Sequence, residues 1–249
     1  MTAIPMTTGR DPRALRRRLA RQRHINHVLQ RAIQPAAGLM TEVGGLRIAA
    51  RCRSADPEVR VGGDWYLVTP LPDGDIVLAV GDVEGHGLRA VESMVGLRYA
   101  MAAYAAAGEP PALILSRLNT LLAQTAGAVT ATAVIAKYRP SLGRLVWARA
   151  GHPPILLSDR RRTIQLPNPR GPLLGLFRLP PYEQEARHLR PGQSVVLYSD
   201  GMIPRDADDG IGVLAHRATG IQEPDSILRR LDIAPAGDDA CALVAQRAI

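Results

Sequence analysis

The spacing of apolar residues along the chain changes close to residue 36. Before that point, Leu15, Leu19, Leu29 and Ile33 recur at helical spacing and predict an amphipathic helix. After Pro35, apolar residues come in short runs bounded by Gly, Pro and Asp, which is typical of buried strands. The runs that predict strands are Leu46 to Cys52, Trp65 to Val68, Val77 to Val83, Thr130 to Tyr138, Arg144 to Arg149, Val195 to Tyr198 and Cys241 to Val244.

Two longer segments between these runs predict helices. The first extends from Leu88 to Ala107 and stops at Gly108-Glu109-Pro110-Pro111, and the second extends from about Ala112 to Gln124. The positions expected to face the core are Leu88, Val91, Val95 and Ala102 in the first helix and Leu115, Leu118, Leu121 and Leu122 in the second. Because strands and helices come in separate runs, the pattern predicts an α+β fold with mostly antiparallel sheets.

The formal net charge of +8 is concentrated at the amino-terminal end. Residues 1–37 hold eight Arg and one Asp, which leaves 23 basic and 22 acidic residues for the rest. We therefore expect a basic helical arm, residues 1–36, and a nearly neutral body, residues 37–249. A solvated helix face is the simpler interpretation of the arm, and contact with nucleic acid, a membrane or an acidic partner is the alternative. Gln22 and Asn26 interrupt its apolar stripe, so the arm specifies at most a weak coiled-coil homodimer.

Cellular location and thiol state are predicted from what the chain contains. No apolar run approaches the ~18 residues that a membrane span needs, and no signal peptide is recognisable, so we expect a soluble, cytoplasmic protein. Cys52 and Cys241 both lie in apolar, strand-like runs. Buried free thiols are therefore expected in preference to a disulfide.

Acidic residues follow or precede several of the predicted strands. Asp82 ends the central apolar run, Asp200 follows Val195 to Tyr198, Asp64 follows two glycines, and Asp238-Asp239 precede the last run. An Asp beside a Gly is more often a turn former than a ligand. If these carboxylates converge, they need a cation to offset their repulsion, and oxygen ligands favour a hard ion such as Mg²⁺ or Mn²⁺.

The order of these motifs resembles that of the SpoIIE/RsbU-type serine phosphatases, bacterial members of the metal-dependent PPM protein phosphatase superfamily. The resemblance covers roughly residues 35 to 249. The motifs that carry it are Val61-Gly62-Gly63-Asp64-Trp65-Tyr66, Leu71-Pro72-Asp73-Gly74, Gly81-Asp82-Val83-Glu84-Gly85-His86-Gly87, Ala150-Gly151-His152-Pro153-Pro154, Tyr198-Ser199-Asp200-Gly201 and Asp238-Asp239. It implies a β-sandwich of two mostly antiparallel sheets flanked by helices, with a two-metal site at one edge.

The same resemblance implies a role for each motif residue. Asp64, Asp82, Asp200 and the backbone carbonyl of Val83 would hold two Mn²⁺ or Mg²⁺ ions. Asp238 is the preferred last ligand, and Asp239 is either the alternative ligand or a supporting residue. Asp64, Asp82 and Asp200 would thereby be catalytic. His86 is either a general acid for the leaving serine oxygen or a structural residue of its Gly-rich turn, while His152 is expected to be structural.

The implied activity is metal-dependent hydrolysis of phosphoserine or phosphothreonine. The implied substrate is a STAS-domain anti-anti-sigma factor in a partner-switching pathway, with an upstream activator that acts on residues 88–124. Pro204 and Cys241 depart from the family pattern without removing a ligand. Two alternatives stay open, namely a catalytically weak module that binds phosphoproteins and a protein that associates with nucleic acid or membrane through its basic arm.

Overall fold

The computed structural model describes residues 38–54, 62–85, 87–124, 129–231 and 238–249. The predicted basic arm, the domain boundary at residue 36 and His86 lie outside these residues and stay predictions. Among the helices of the described residues, none combines the length and the apolar composition that a membrane span requires.

Eleven strands of the described residues form two sheets that pack face to face. The first sheet has the order β1-β2-β11-β10-β7-β8 and the second has the order β3-β4-β5-β6-β9. Every neighbouring pair is antiparallel. The first sheet comprises β1 (Gly38–Val43), β2 (Leu46–Arg53), β7 (Leu156–Ser158), β8 (Thr163–Gln165), β10 (Ser194–Tyr198) and β11 (Ala240–Arg247). The second comprises β3 (Trp65–Pro70), β4 (Ile76–Val83), β5 (Ala131–Arg139), β6 (Arg144–Ala150) and β9 (Gln184–His188).

The core lies between the two sheets. Leu78 and Val80 of β4 share one buried apolar cluster with Leu197 of β10 and Leu243 of β11. Alternate residues of a strand face opposite sides of its sheet, so one set of side chains fills this layer. The other set of β4, Val77 and Ala79, is also fully buried, since helices cover the outer faces. This explains why the central strands read as continuous apolar runs.

Four α-helices of the described residues form the two outer layers. The helices are α1 (Leu88–Ala106), α2 (Pro111–Gln124), α3 (Gly210–Ala218) and α4 (Pro224–Leu231). On the second sheet, α1 packs against β3 and β4, and α2 packs against β5 and β6. On the first sheet, α3 packs against β7 and β8, and α4 packs against β2 and β11. The predicted α+β sandwich of mostly antiparallel sheets flanked by helices is therefore confirmed.

The face that α1 buries differs from the predicted one. Of its four predicted core positions the structure buries Val91, whereas Leu88 is 83% exposed. Met94, Leu97 and Met101 supply most of the buried side-chain volume instead. Leu88 is exposed because it is the first residue of the helix, directly after the loop that contains Gly85 and Gly87 at positive φ.

The two cysteines form a disulfide, so the prediction of free thiols was wrong. Cys241 of β11 lies directly opposite Cys52 of β2 in the antiparallel register, with their Cα atoms 4.0 Å apart. Both side chains therefore project from the same face of the first sheet towards each other. The strand assignment alone could not reveal this, because the pairing depends on the register between segments 189 residues apart.

Candidate metal centre

Two strands of the second sheet bring the first pair of acids together. Trp65 of β3 pairs with Gly81 of β4, so the residue before β3, Asp64, comes alongside Asp82 near the end of β4. Asp64 is buried, with 6% of its surface exposed, and Asp82 is partly buried. The charge of Asp82 raises the pKa of Asp64, whereas a hydrogen bond with Asp64 lowers the pKa of Asp82.

The first sheet supplies the other acids at the same edge of the sandwich. Asp200 follows β10, and Asp238 and Asp239 precede β11, the neighbouring antiparallel strand. The backbone N–H of Gly63 donates a hydrogen bond to Oδ2 of Asp239 over 2.8 Å, which links the two sheets directly. The five predicted acidic residues therefore lie in one region of the molecule.

The electrostatics of this region show an excess of negative charge. Burial raises the pKa of Asp64 well above its usual value, and the nearby Asp82, Asp239 and Asp200 raise it further against the hydrogen bond from Ser199. Burial also raises the pKa of Asp82 to about 6, and Asp200 adds to the rise. Carboxylates in this state are stabilised by a bound cation, which restores their charged form.

Three glycines leave the space in which these carboxylates sit. A Cβ on Gly62 would lie 1.7 Å from Oδ2 of Asp239, and a Cβ on Gly201 would lie 1.8 Å from the carbonyl oxygen of Asp239. A Cβ on Gly63 would lie 2.4 Å from the carbonyl oxygen of Val83 and 3.1 Å from Oδ1 of Asp82. Any larger residue at these positions would displace a predicted ligand, so the close approach requires glycine.

Ser199 is a site residue that the sequence analysis missed. Its hydroxyl donates a 2.6 Å hydrogen bond to Oδ2 of Asp64 and accepts one of 2.9 Å from the backbone N–H of Cys241. Ser199 itself is fully buried. It thereby joins β10, β11 and Asp64, and it fixes the orientation of the most buried carboxylate. The available signal was its position directly between a buried strand and Asp200.

The histidine and glutamate near these motifs have other surroundings. His152 is completely buried, with Nδ1 2.8 Å from Oγ1 of Thr132. Burial lowers its pKa to about 3, so it is neutral. Glu84 is exposed and accepts a short hydrogen bond from the hydroxyl of Thr130. Both positions agree with structural roles in the loops around the site.

The donor set fits divalent cations. Within the described residues, no three or more His, Cys, Asp or Glu side chains are already drawn together tightly enough to hold a metal ion. The carboxylates nevertheless repel one another at an edge where glycines leave room, which is the arrangement that a hard cation with oxygen ligands requires. Asp64, Asp82, Asp200, Asp238, Asp239 and the carbonyl of Val83 are the groups that could hold it.

Comparison with known proteins identifies the family. The sequence profile of stage II sporulation protein E (SpoIIE) matches residues 72–248, well over half of the chain. The chain belongs to the SpoIIE family. The resemblance read from the sequence motifs is therefore confirmed. The sandwich described above has the fold of solved PP2C phosphatase domains.

The relatives of this SpoIIE-family chain include a phosphoserine phosphatase and a mycobacterial protein with RsbU and RsbW domains. It is 30% identical over 156 residues to the phosphoserine phosphatase RsbU of Bacillus subtilis, an alignment that covers 62% of this chain and 46% of RsbU. It is similar in structure to the RsbU and RsbW domains of Rv1364c from Mycobacterium tuberculosis, with a TM-score of 0.76, 27% identity, and coverage of 85% of this chain and 62% of that chain. The chain thus spans about half the length of its RsbU relative.

A structure of RsbX in complex with magnesium is also similar, with a TM-score of 0.69 and 19% identity. That match covers 84% of this chain and 98% of RsbX. At this identity the likeness supports the fold alone.

Proposed function

We propose that this chain is a metal-dependent protein serine/threonine phosphatase that uses two Mn²⁺ or Mg²⁺ ions. The proposed ligands are Asp64, Asp82, the carbonyl of Val83, Asp200, and Asp238 or Asp239. The observation that carries the proposal is the convergence of five acidic residues from both sheets, with raised pKa values at Asp64 and Asp82. When bound, two divalent ions lower the pKa of a water molecule and offset charge on phosphoryl oxygens.

Different residues of the chain would orient the ligands, leave space for them and open the site to solvent. Ser199 occupies Oδ2 of Asp64 and thereby determines which oxygen of that carboxylate is left for a cation. Gly62, Gly63 and Gly201 let the carboxylates and the Val83 carbonyl approach closely. Asp200 is exposed and Asp238 is partly exposed, so the site opens to solvent on their side. A phosphorylated side chain on the surface of another protein would enter there.

This mechanism needs no nucleophilic side chain. Cys52 and Cys241 are joined in a disulfide, so neither provides a thiolate. His86 remains the proposed general acid for the leaving oxygen, with a structural role in its turn as the alternative.

The proposed substrate is phosphoserine or phosphothreonine on a STAS-domain anti-anti-sigma factor. The relative named phosphoserine phosphatase RsbU supports the chemistry, and the similar mycobacterial chain that contains RsbU and RsbW domains supports a partner-switching context. A cytoplasmic location is part of this proposal.

An upstream activator acting on α1 and α2 is a further part of the proposal. It is supported by the packing of α1 against β3 and β4, the strands next to Asp64 and Asp82. Replacing the buried Val91 of α1 by Ala should change the Mn²⁺ affinity. Unchanged affinity and turnover would argue against a role for this helix.

The test is phosphate release from p-nitrophenyl phosphate and from a phosphoserine STAS protein, in Mn²⁺, Mg²⁺ or EDTA. Wild type should be active with metal and inactive in EDTA, and Asp82→Ala should be inactive in all conditions. Asp159→Asn is the matched control, because Asp159 accepts hydrogen bonds from the backbone in the turn between β7 and β8, outside the site.

Activity that persists in EDTA would contradict the metal mechanism. Stable binding of the phosphorylated STAS protein without phosphate release would favour the catalytically weak binding module.

A further inference from the structure

Arg205 lies at the solvent side of the candidate metal centre. It follows the 3₁₀ turn Asp200–Met202 and precedes α3. Its guanidinium Nη2 forms a close ion pair with Oδ2 of Asp238, which comes from the segment before β11. The side chains are 71% and 46% exposed, respectively. The arginine therefore faces the open end of the acidic cluster.

A hydrogen bond and an ion pair join the guanidinium of Arg205 to the carboxylate of Asp238. Asp238 also acts electrostatically on Asp82, so it belongs to the same repelling group of carboxylates. A cation bound by that group would share the charge of Asp238 and weaken its attraction for the guanidinium. Arg205 would then be released at the side from which a phosphorylated substrate approaches.

A guanidinium has the chemistry that a phosphomonoester requires. Its planar fork of N–H donors matches two phosphate oxygens at once, and it stays charged at any physiological pH. An exposed arginine loses little hydration when it exchanges one anionic oxygen partner for another.

We propose that Arg205 binds the phosphoryl group of the substrate, exchanging Asp238 for phosphate once the metal site is filled. This inference rests on the proposed phosphatase function and adds to it a substrate-binding residue. In the absence of metal, the same side chain offsets part of the negative charge of the site.

Arg229 provides a matched control. It is 65% exposed and forms an ion pair of 3.1 Å with Asp225 on α4, away from the acidic cluster. Arg229→Ala therefore removes an exposed, carboxylate-paired guanidinium of the same kind without touching the site.

The first experiment measures binding of inorganic phosphate to the Mn²⁺-loaded full chain by titration calorimetry. Arg205→Ala should weaken phosphate binding about tenfold or more, as expected for loss of charge-assisted hydrogen bonds. Arg205→Lys should restore part of the affinity, because it keeps the charge without the fork. Arg229→Ala should bind phosphate like wild type.

Two further readouts separate substrate binding from support of the metal. Arg205→Ala should raise KM for p-nitrophenyl phosphate more than it lowers kcat. Its Mn²⁺ affinity, measured from free Mn²⁺ by electron paramagnetic resonance, should be equal to or tighter than that of wild type, because a competitor for Asp238 is gone.

Weaker Mn²⁺ binding by Arg205→Ala with unchanged phosphate affinity would overturn the proposal and make Arg205 a positioning residue for Asp238. No measurable phosphate binding by wild type, or equal binding by wild type and Arg205→Ala, would also overturn it. These results are separable from failure of the proposed function. That failure is absence of metal-dependent phosphate release by wild type, whatever the phosphate affinity of the variants.

Discussion

Asp64 and Asp238 are both predicted ligands, yet the protein holds them in opposite ways. Asp64 is buried and accepts a hydrogen bond from Ser199. Ser199 in turn accepts a hydrogen bond from the backbone of β11. Asp238 is nearly half exposed, and its partner Arg205 is more exposed still. One side of the centre is thus fixed by the sandwich, whereas the other can exchange partners. Metal affinity should therefore depend on the closed side, which holds Asp64, and substrate binding on the open side, which holds Asp238.

The largest effect should come from removing a carboxylate on the closed side. Asp64→Asn should lower kcat/KM at saturating Mn²⁺ by at least about 100-fold, since a fixed, buried ligand has no substitute. Asp238→Asn should cost about tenfold less, because Asp239 and water can take over part of its role. Steady-state kinetics on p-nitrophenyl phosphate measure both. An equal loss of kcat/KM in Asp64→Asn and Asp238→Asn would contradict a functional difference between the closed and the open side.

A smaller effect, on Mn²⁺ binding, is expected when the hydrogen bond from Ser199 to Asp64 is removed and the carboxylate is kept. Ser199→Ala should weaken Mn²⁺ binding by about 10- to 100-fold, the usual range for residues that orient a ligand. Ser158→Ala is the control, because Ser158 is equally buried and donates to the carbonyl of Ala218 outside the site. If both variants bind Mn²⁺ like wild type, the closed side does not depend on Ser199.

The smallest effect is the pH dependence of stability that arises from His152, which is buried next to the site. His152 is bonded to Thr132, which lies opposite Asp82 in the β4–β5 register. Burial lowers its pKa to about 3, below its usual value of 6.5. Between those values the imidazole binds more protons in the unfolded chain than in the folded one, so the contribution of His152 to stability is lost as pH falls below about 6.5. The raised pKa values of Asp64 and Asp82 act in the opposite direction when metal is absent. The part of the slope that His152 contributes should not exceed about 1.4 kcal/mol per pH unit.

The difference in unfolding free energy between wild type and His152→Gln, measured with urea in EDTA at pH 7.5, 6.5 and 5.5, isolates this contribution. His152→Gln should lose less stability than wild type as pH falls from 6.5 to 5.5, because the variant has no imidazole to protonate on unfolding. A slope that is the same in wild type and His152→Gln would show that His152 does not titrate on unfolding.

The sequence predicted the elements whose apolar pattern is complete. β4 was predicted because both of its faces are covered, which leaves an unbroken apolar run into Asp82. β9 was not predicted, because all five of its residues, Gln184 to His188, are exposed and polar. β1, β7, β8 and α3 were also missed, since they are short or only partly apolar. The helix α4 had a usable signal, with Pro224 at its start and buried Ile227, Leu228 and Leu231.

The candidate site also has features that the sequence predicted and features that it did not. The acids could be named from the motifs, but their convergence depends on two sheets whose contact no local pattern encodes. Ser199 and Arg205 act through partners 135 and 33 residues away. The Cys52–Cys241 pairing likewise needed the register of two strands that are distant in sequence. Residue types were therefore predictable, whereas partners were not.

The place of β11 in the first sheet has a consequence for synthesis. It lies between β2 and β10, although its Cys241 follows its β2 partner Cys52 by 189 residues. Pairing over such a separation costs loop-closure entropy and slows folding. During translation, β2 lacks this neighbouring strand until residues 240–247 have been synthesised. The edge that bears Asp238 and Asp239 should therefore assemble after β1 and β2 have been synthesised and paired, and translation pauses before residue 240 would prolong the exposure of the unpaired edge of β2.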